Sequence, residues 1–184
     1  MVNLLAMLSF DLRELQEHAV AVDGVLEPDD SVWATEDVRP TGPIHVTGRL
    51  SAAGSDRYYF AGHLESTVET TCRRCLEPVT VHVNDELNAL FVDADDEETS
   101  SDPDVFLIDP NGRDLDLRPA VREHWLLAAP AYAVCREDCR GLCPTCGTDL
   151  NKGQCECTPA VDSRWDALRT AKPSATRSVP SDES

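Results

Sequence analysis

Lysine is almost missing from this 184-residue chain: Lys152 and Lys172 are the only two, so arginine carries nearly all of the positive charge. Lys and Arg together number 16 against 34 Asp and Glu, a formal net charge of -18. Such a chain repels phosphate as a whole and lacks the basic footprint of a typical nucleic-acid binder, so any contact with RNA has to be local. A basic protein partner suits this surface better, although the same charge also serves solubility alone. Long apolar runs are missing too. Asp11, Arg13 and Glu14 cut off the opening "MVNLLAMLSF", about ten residues where roughly 20 are needed to cross a bilayer. That opening has neither the basic flank nor the small-residue cleavage site of a secretory signal. A cytoplasmic protein is expected.

What is present points first to a single core. At 41% hydrophobic residues the chain can bury one moderate core with a small appended module. "FDLREL" at 10–15 fits a short strand or one helical turn, and residues 23–43, rich in Pro, Gly and Asp, read mostly as loop. "IHVTGRL" alternates until Gly48 breaks the pattern, and "YYFAGHLESTVETT" is rich in β-branched and aromatic residues, which predicts two strands joined through "SAAGSD". "VTVHVNDELNALFV" alternates at Val79, Val81 and Val83 before Leu87 and Leu90 change the period, giving a third strand with a less regular end. The acidic run at 93–104 reads as a solvated loop. It lacks the Gly and terminal Glu of a calcium loop. "LDLRPAVREHWLLAAP" predicts an amphipathic helix over about 116–129, with Asp116 as N-cap, Pro119 in the first turn, and Leu117, Val121, Trp125 and Ala128 on one face. His124 on it reads as a solvated or hydrogen-bonded histidine rather than a ligand. The expected fold is α+β: an antiparallel β-sheet over about 44–92, a packed amphipathic helix, and a C-terminal cysteine-rich zinc knuckle. The corresponding divisions are 1–134, 135–157 and a flexible tail 158–184, with everything after about 170 mobile.

Eight cysteines remain to be explained, six of them within 135–157. A reducing cytosol disfavours disulfides and makes close C-x-x-C pairs metal ligands. "CRRC", Cys72 and Cys75, falls between two predicted strands, where two sulfurs at a hairpin tip form half of a tetrahedral site. A thioredoxin-like redox pair would need a following helix, and "LEPVTVHV" is strand-like. "CPTCG", Cys143 and Cys146, has the form of a zinc knuckle, "CEC" adds Cys155 and Cys157, and Cys135 and Cys139 precede them. The spacing matches neither ferredoxin pattern. Eight thiolates make two four-cysteine zinc sites. One partition groups Cys135, Cys139, Cys143 and Cys146. The other joins Cys143, Cys146, Cys155 and Cys157 across a short return loop and leaves Cys135 and Cys139 to meet Cys72 and Cys75. Local closure of the first of these two sites costs little entropy, so the second partition is preferred. Arg73, Arg74, Arg136 and Arg140 lie between or beside ligand cysteines; they are candidate partner-binding residues, because arginine binds phosphate bidentately, and equally they read as an offset to thiolate charge.

"FDLREL", "CRRCLEPV", "LDLRPAVREHWLLAAP" and "CREDCRGLCPTCGTDLN" followed by "CEC" resemble the large ribosomal RNA subunit accumulation protein family, also called DUF177 or YceD-like. The resemblance implies a non-enzymatic factor in 23S ribosomal RNA accumulation and large-subunit biogenesis. Its partner would be a large-subunit precursor, 23S rRNA or a basic ribosomal protein. Three alternatives stand beside it: a thiol oxidoreductase, a ribosomal RNA nuclease, and a zinc-ribbon adaptor in transcription.

Overall fold

The structure, a computed structural model, describes residues 8–94, 105–158 and 164. Most of the expected acidic loop at 93–104 and the tail beyond 170 lie outside these residues. The chain divides into two compact units, Met1–Cys139 and Arg140–Ser184.

The first unit holds all the named elements. They run β1 (Ser9–Asp11), α1 (Leu12–Glu17), β2 (Val20–Leu26), β3 (Ile44–Ala52), β4 (Arg57–Thr71), β5 (Pro78–Asp93), β6 (Val105–Ile108), β7 (Asp114–Asp116) and α2 (Arg118–Ala128). The main sheet has the order β2-β3-β4-β5-β6, while β1 and β7 form a separate antiparallel pair. The expected antiparallel sheet is therefore a mixed one. β2 to β5 are antiparallel neighbours, but β6 joins β5 in parallel. "FDLREL" supplies both forms it allowed, strand β1 and then helix α1, whose N-cap Asp11 accepts from the Arg13 amide.

Alternation makes one face of the sheet. Ile44, Val46 and Leu50 of β3 and Tyr58, Phe60, Leu64 and Val68 of β4 are buried, the period-2 pattern of a half-buried sheet. Gly48 does not interrupt β3. It stands opposite Gly62 of β4 on the inner face, and a Cβ at either glycine would lie 2.8 or 2.6 Å from Phe60 Cζ. The facing backbone, Ala61 O for Gly48 and Thr47 O for Gly62, comes closer still, so ring and backbone together occupy the space two side chains would need and glycine is required by packing. Two strand readings need correction. Residues 23–26, taken as loop, complete β2, whose Val22 and Leu26 are buried. β5 is a single 16-residue strand. Its inner positions are the odd ones from Val79 to Phe91, with Asp85 as the polar exception, and the change of period at Leu90 marks the end of the strand, where Leu90 is half-buried and Val92 buried beside β6 so that both faces are covered.

Asp85 is matched from the helix: His124 Nε2 lies 3.1 Å from its carboxylate. α2 begins two residues after the expected start, at Arg118, with Leu117 in the cap position. Asp116 still accepts the Arg118 amide at 2.9 Å. Ala120, Val121 and Trp125 are buried. The helix covers only a small part of the sheet, chiefly along β5. Its stronger ties are to the long loop 27–43. Trp125 Nε1 donates to the Val38 carbonyl at 2.7 Å, and Arg122 Nε and Nη2 donate to the two Asp37 oxygens at 2.6 and 2.8 Å. The architecture is thus a mixed-sheet protein with few helices. No helix among the described residues is long and apolar enough to cross a membrane.

Candidate metal centres

The β4–β5 hairpin ends in the first C-x-x-C turn. The Cys72 amide donates to the Glu77 carbonyl at 2.8 Å and the Leu76 amide to the Cys72 carbonyl at 2.8 Å, so the turn folds both thiols to one side. Cys135 and Cys139 reach it from the segment after α2. The Arg73 amide bonds the Ala133 carbonyl at 2.9 Å, and the Arg74 guanidinium donates to the carbonyls of Glu137 and Cys139 at 3.0 Å each. These bonds fasten the second cysteine pair to the first. Cys72, Cys75 and Cys139 are buried, while Cys135 is exposed.

The second unit repeats the turn. The Cys143 amide donates to the Thr148 carbonyl at 2.8 Å and the Gly147 amide to the Cys143 carbonyl at 2.9 Å. A short bridge between Leu142 and Asp149 closes the return loop, with the Leu150 amide on the Gly141 carbonyl and the Arg140 amide on Asn151 Oδ1. Asp149 organises the far side: its Oδ1 accepts the Asn151 amide at 2.9 Å. Cys143 is buried, Cys155 and Cys157 are half-buried and Cys146 is exposed.

The sulfurs form two groups, Cys72, Cys75, Cys135 and Cys139 in one and Cys143, Cys146, Cys155 and Cys157 in the other, with all four sulfurs of a group within 4.8 Å of one another. This is the long-range partition rather than the one that groups the four cysteines from 135 to 146. Cys135 and Cys139, expected in the C-terminal module, belong to the first unit, which extends to Cys139. Cys72 Sγ is 3.8 Å from Cys139 Sγ, and Cys75 Sγ is 3.7 Å from Cys135 Sγ. Four thiolates about 2.3 Å from a central ion, the zinc–sulfur distance, stand roughly 3.8 Å apart at the corners of a regular tetrahedron. The donor set and its dimensions fit a tetrahedral divalent ion.

Electrostatics points the same way. Burial opposes ionisation of Cys72, but the amides of Cys135, Cys75 and Arg74 outweigh it and lower its pKa to about 6. Burial, then the neighbouring sulfurs, push Cys135 up to about 12. In the second group the Thr148 hydroxyl, 3.2 Å from Cys146 Sγ, leads in lowering Cys146 to about 6. The Cys146 sulfur in turn leads in pushing Cys157 up to about 12. In each group one thiol ionises readily and another resists, Cys135 because of burial and then repulsion by the neighbouring sulfurs, Cys157 because of repulsion by the Cys146 sulfur and then burial. A cation at the centre removes that repulsion.

The four arginines have unequal positions. Arg74 is engaged with two backbone carbonyls, and Arg136 Nε lies 3.2 Å from Asp138. Arg73 holds its guanidinium 4.8 Å from the centroid of the Tyr132 ring, and Arg140 is exposed in the second unit. Sequence reasoning missed the structural role of Arg74 and the exposed Leu76 and Tyr132. The match between "CRRCL" and "CPTCG" was the signal available for Leu76.

The molecule is thus a mixed-sheet protein carrying two four-cysteine cages, each able to hold a metal ion. Residues 60–172 match the family described as Large ribosomal RNA subunit accumulation protein YceD, and the chain belongs to it. It is 36% identical over 100 residues to uncharacterized proteins of Mycobacterium tuberculosis and Mycobacterium bovis, covering 53% of this chain and 47% of each of theirs. Against an uncharacterized protein of Mycobacterium leprae it is 32% identical over 111 residues, 59% of this chain and 49% of the other. The chain spans about half the length of these curated relatives. No solved structure matches it.

Proposed function

We propose that this protein is a non-enzymatic, zinc-stabilised cytoplasmic factor that promotes 23S ribosomal RNA accumulation during large-subunit biogenesis, docking on precursor particles or on a basic ribosomal protein. Membership of the family named for that role is the observation that carries the reading. The two cysteine cages would hold its zinc, one ion in each. When bound, zinc would fix four thiolates as corners of a rigid frame and add no reactive group, since a four-cysteine site leaves no open position. Cys72, Cys75, Cys135 and Cys139 would join the hairpin tip to the segment after α2, and Arg74 would hold that segment in place through its two carbonyls. The location of the first C-x-x-C at a strand-to-strand turn supports this over a thiol oxidoreductase, whose pair sits at a helix N-terminus. The test is sedimentation of the full chain with cell extract, coupled to the ratio of 23S to 16S RNA after depletion. Co-migration with large-subunit precursors and a falling ratio are expected. Migration only with free protein, or specific cleavage of ribosomal RNA by the purified chain in magnesium, would overturn it.

A further inference from the structure

The two C-x-x-C turns are built alike, and one difference between them carries information. In each, the residue after the second cysteine has left-handed backbone, φ 62° at Leu76 and 73° at Gly147. Glycine adopts this conformation freely, whereas a bulky side chain there is strained. Leu76 does not recover that strain by burial, because it is 63% exposed. The segment bonded to its turn is exposed in the same way. Tyr132 is 73% exposed beneath the Arg73 guanidinium, and Val134 is 37% exposed. The Arg73–Ala133 backbone bond joins the two segments, and Leu76 and Val134 each follow or precede a member of the Cys75–Cys135 sulfur pair, 3.7 Å apart. Strain stored in an exposed apolar residue, with an exposed aromatic ring on the segment bonded to its turn, marks a contact surface.

From this we infer that Leu76, Tyr132 and Val134, with Arg73, form a docking surface for a basic polypeptide segment carrying aliphatic anchor side chains. Charge selects that occupant. Across residues 72–77 and 132–139 three arginines balance three carboxylates, and a divalent ion among four thiolates adds about two negative charges. The chain as a whole is at -18. A second copy of the chain would meet that charge with the same charge, which disfavours self-association. RNA finds few phosphate ligands here: Arg74 is bonded to carbonyls, Arg136 is paired with Asp138, and Arg73 is stacked on Tyr132. A Lys- and Arg-rich segment meets a complementary field, and its aliphatic side chains meet Leu76 and Val134. The surface deepens the proposed function by naming the partner's class, and rests on that reading only for where such a partner is met.

The experiment measures binding of the zinc-loaded full chain to three labelled probes: a Lys- and Arg-rich peptide containing leucines, the same peptide with serines for leucines, and an unstructured single-stranded RNA. The leucine peptide should bind best. Leu76→Gly should weaken it by about tenfold or more without lowering the thermal midpoint, because glycine relieves the backbone strain. Tyr132→Ala should weaken it with the fold intact. Equal binding of leucine and serine peptides, no loss with Leu76→Gly, preferential binding of the RNA, or a dimer broken by Leu76→Gly would each overturn the inference. A chain that binds the leucine peptide through Leu76 but leaves 23S RNA levels unchanged on depletion would support the surface and count only against the proposed function.

Discussion

Gly48 and Gly62 show how a residue is misread when its reason lies on another strand. Along β3 alone Gly48 looks like a break, but the facing backbone and the Phe60 ring crowd the inner face over both glycines. Gly48→Ala or Gly62→Ala should therefore lower stability by about 1–3 kcal/mol, an overpacking effect, readable as a lower midpoint in urea. Pairing either with Phe60→Leu should recover only the ring's share of the loss, because the facing carbonyls of Ala61 and Thr47 stay in place; fully additive losses would assign the effect to the backbone alone. The cysteines were legible because their chemistry is local and their spacing is short. Leu76 was legible only in part: the match of "CRRCL" to "CPTCG" points to its left-handed backbone, but nothing in "CRRCLEP" says whether its side chain is buried or displayed. Arg74 was assigned to a partner, yet its donors lie 3.0 Å from the Glu137 and Cys139 carbonyls. Arg74→Ala should speed loss of metal to a chelator from the first site only, and equal release rates from variant and wild type would remove that role.

At the scale of elements, periodicity found β3, β4 and most of β5, and the helix to within two residues of its start. It lost β2's end because Asp23 and Gly24 are turn residues by composition. They pair here with Thr47 and Val46. It also expected α2 to lie on the sheet, and the missing information was the loop 27–43, to which the helix is tied through Trp125 and Arg122. Trp125→Phe keeps most of the ring but orphans the Val38 carbonyl, which should cost about 1–3 kcal/mol. An unchanged thermal midpoint would contradict that. The ion pair gives the loop a pH dependence. Hydrogen bonding to Arg122 leads in lowering the Asp37 pKa below its ordinary 3.8. A carboxyl with a depressed folded pKa adds stability that is complete above the unfolded value and is lost as pH falls through the folded one. Asp37→Asn should therefore reduce stability at neutral pH and flatten the loss below about pH 4. An acid limb as steep as the wild type's would show that Asp37 is not its source.

The whole molecule is organised by two cages that differ in what they connect. The first takes Cys72 and Cys75 from a hairpin and Cys135 and Cys139 from beyond α2, so it closes a long stretch of chain. The second is assembled from 143–157 alone, in a separate compact unit. Ligands drawn from distant segments are not preassembled in the unfolded chain, and an ion there stabilises the fold through the large loop it closes. The sequence could place the thiols and favour this partition by loop length, but the meeting of 72 with 139 depends on the Arg73–Ala133 and Arg74 bonds, which no spacing rule contains. Counting zinc per chain by native mass spectrometry, in the wild type and two double variants, tests this arrangement most directly. The expected result is two zinc ions in the wild type and one in each of Cys72→Ser with Cys75→Ser and Cys155→Ser with Cys157→Ser, with the broad charge-state distribution of an unfolded core only in the former. A folded wild type without zinc, or a core that unfolds only when Cys155 and Cys157 are replaced, would contradict it.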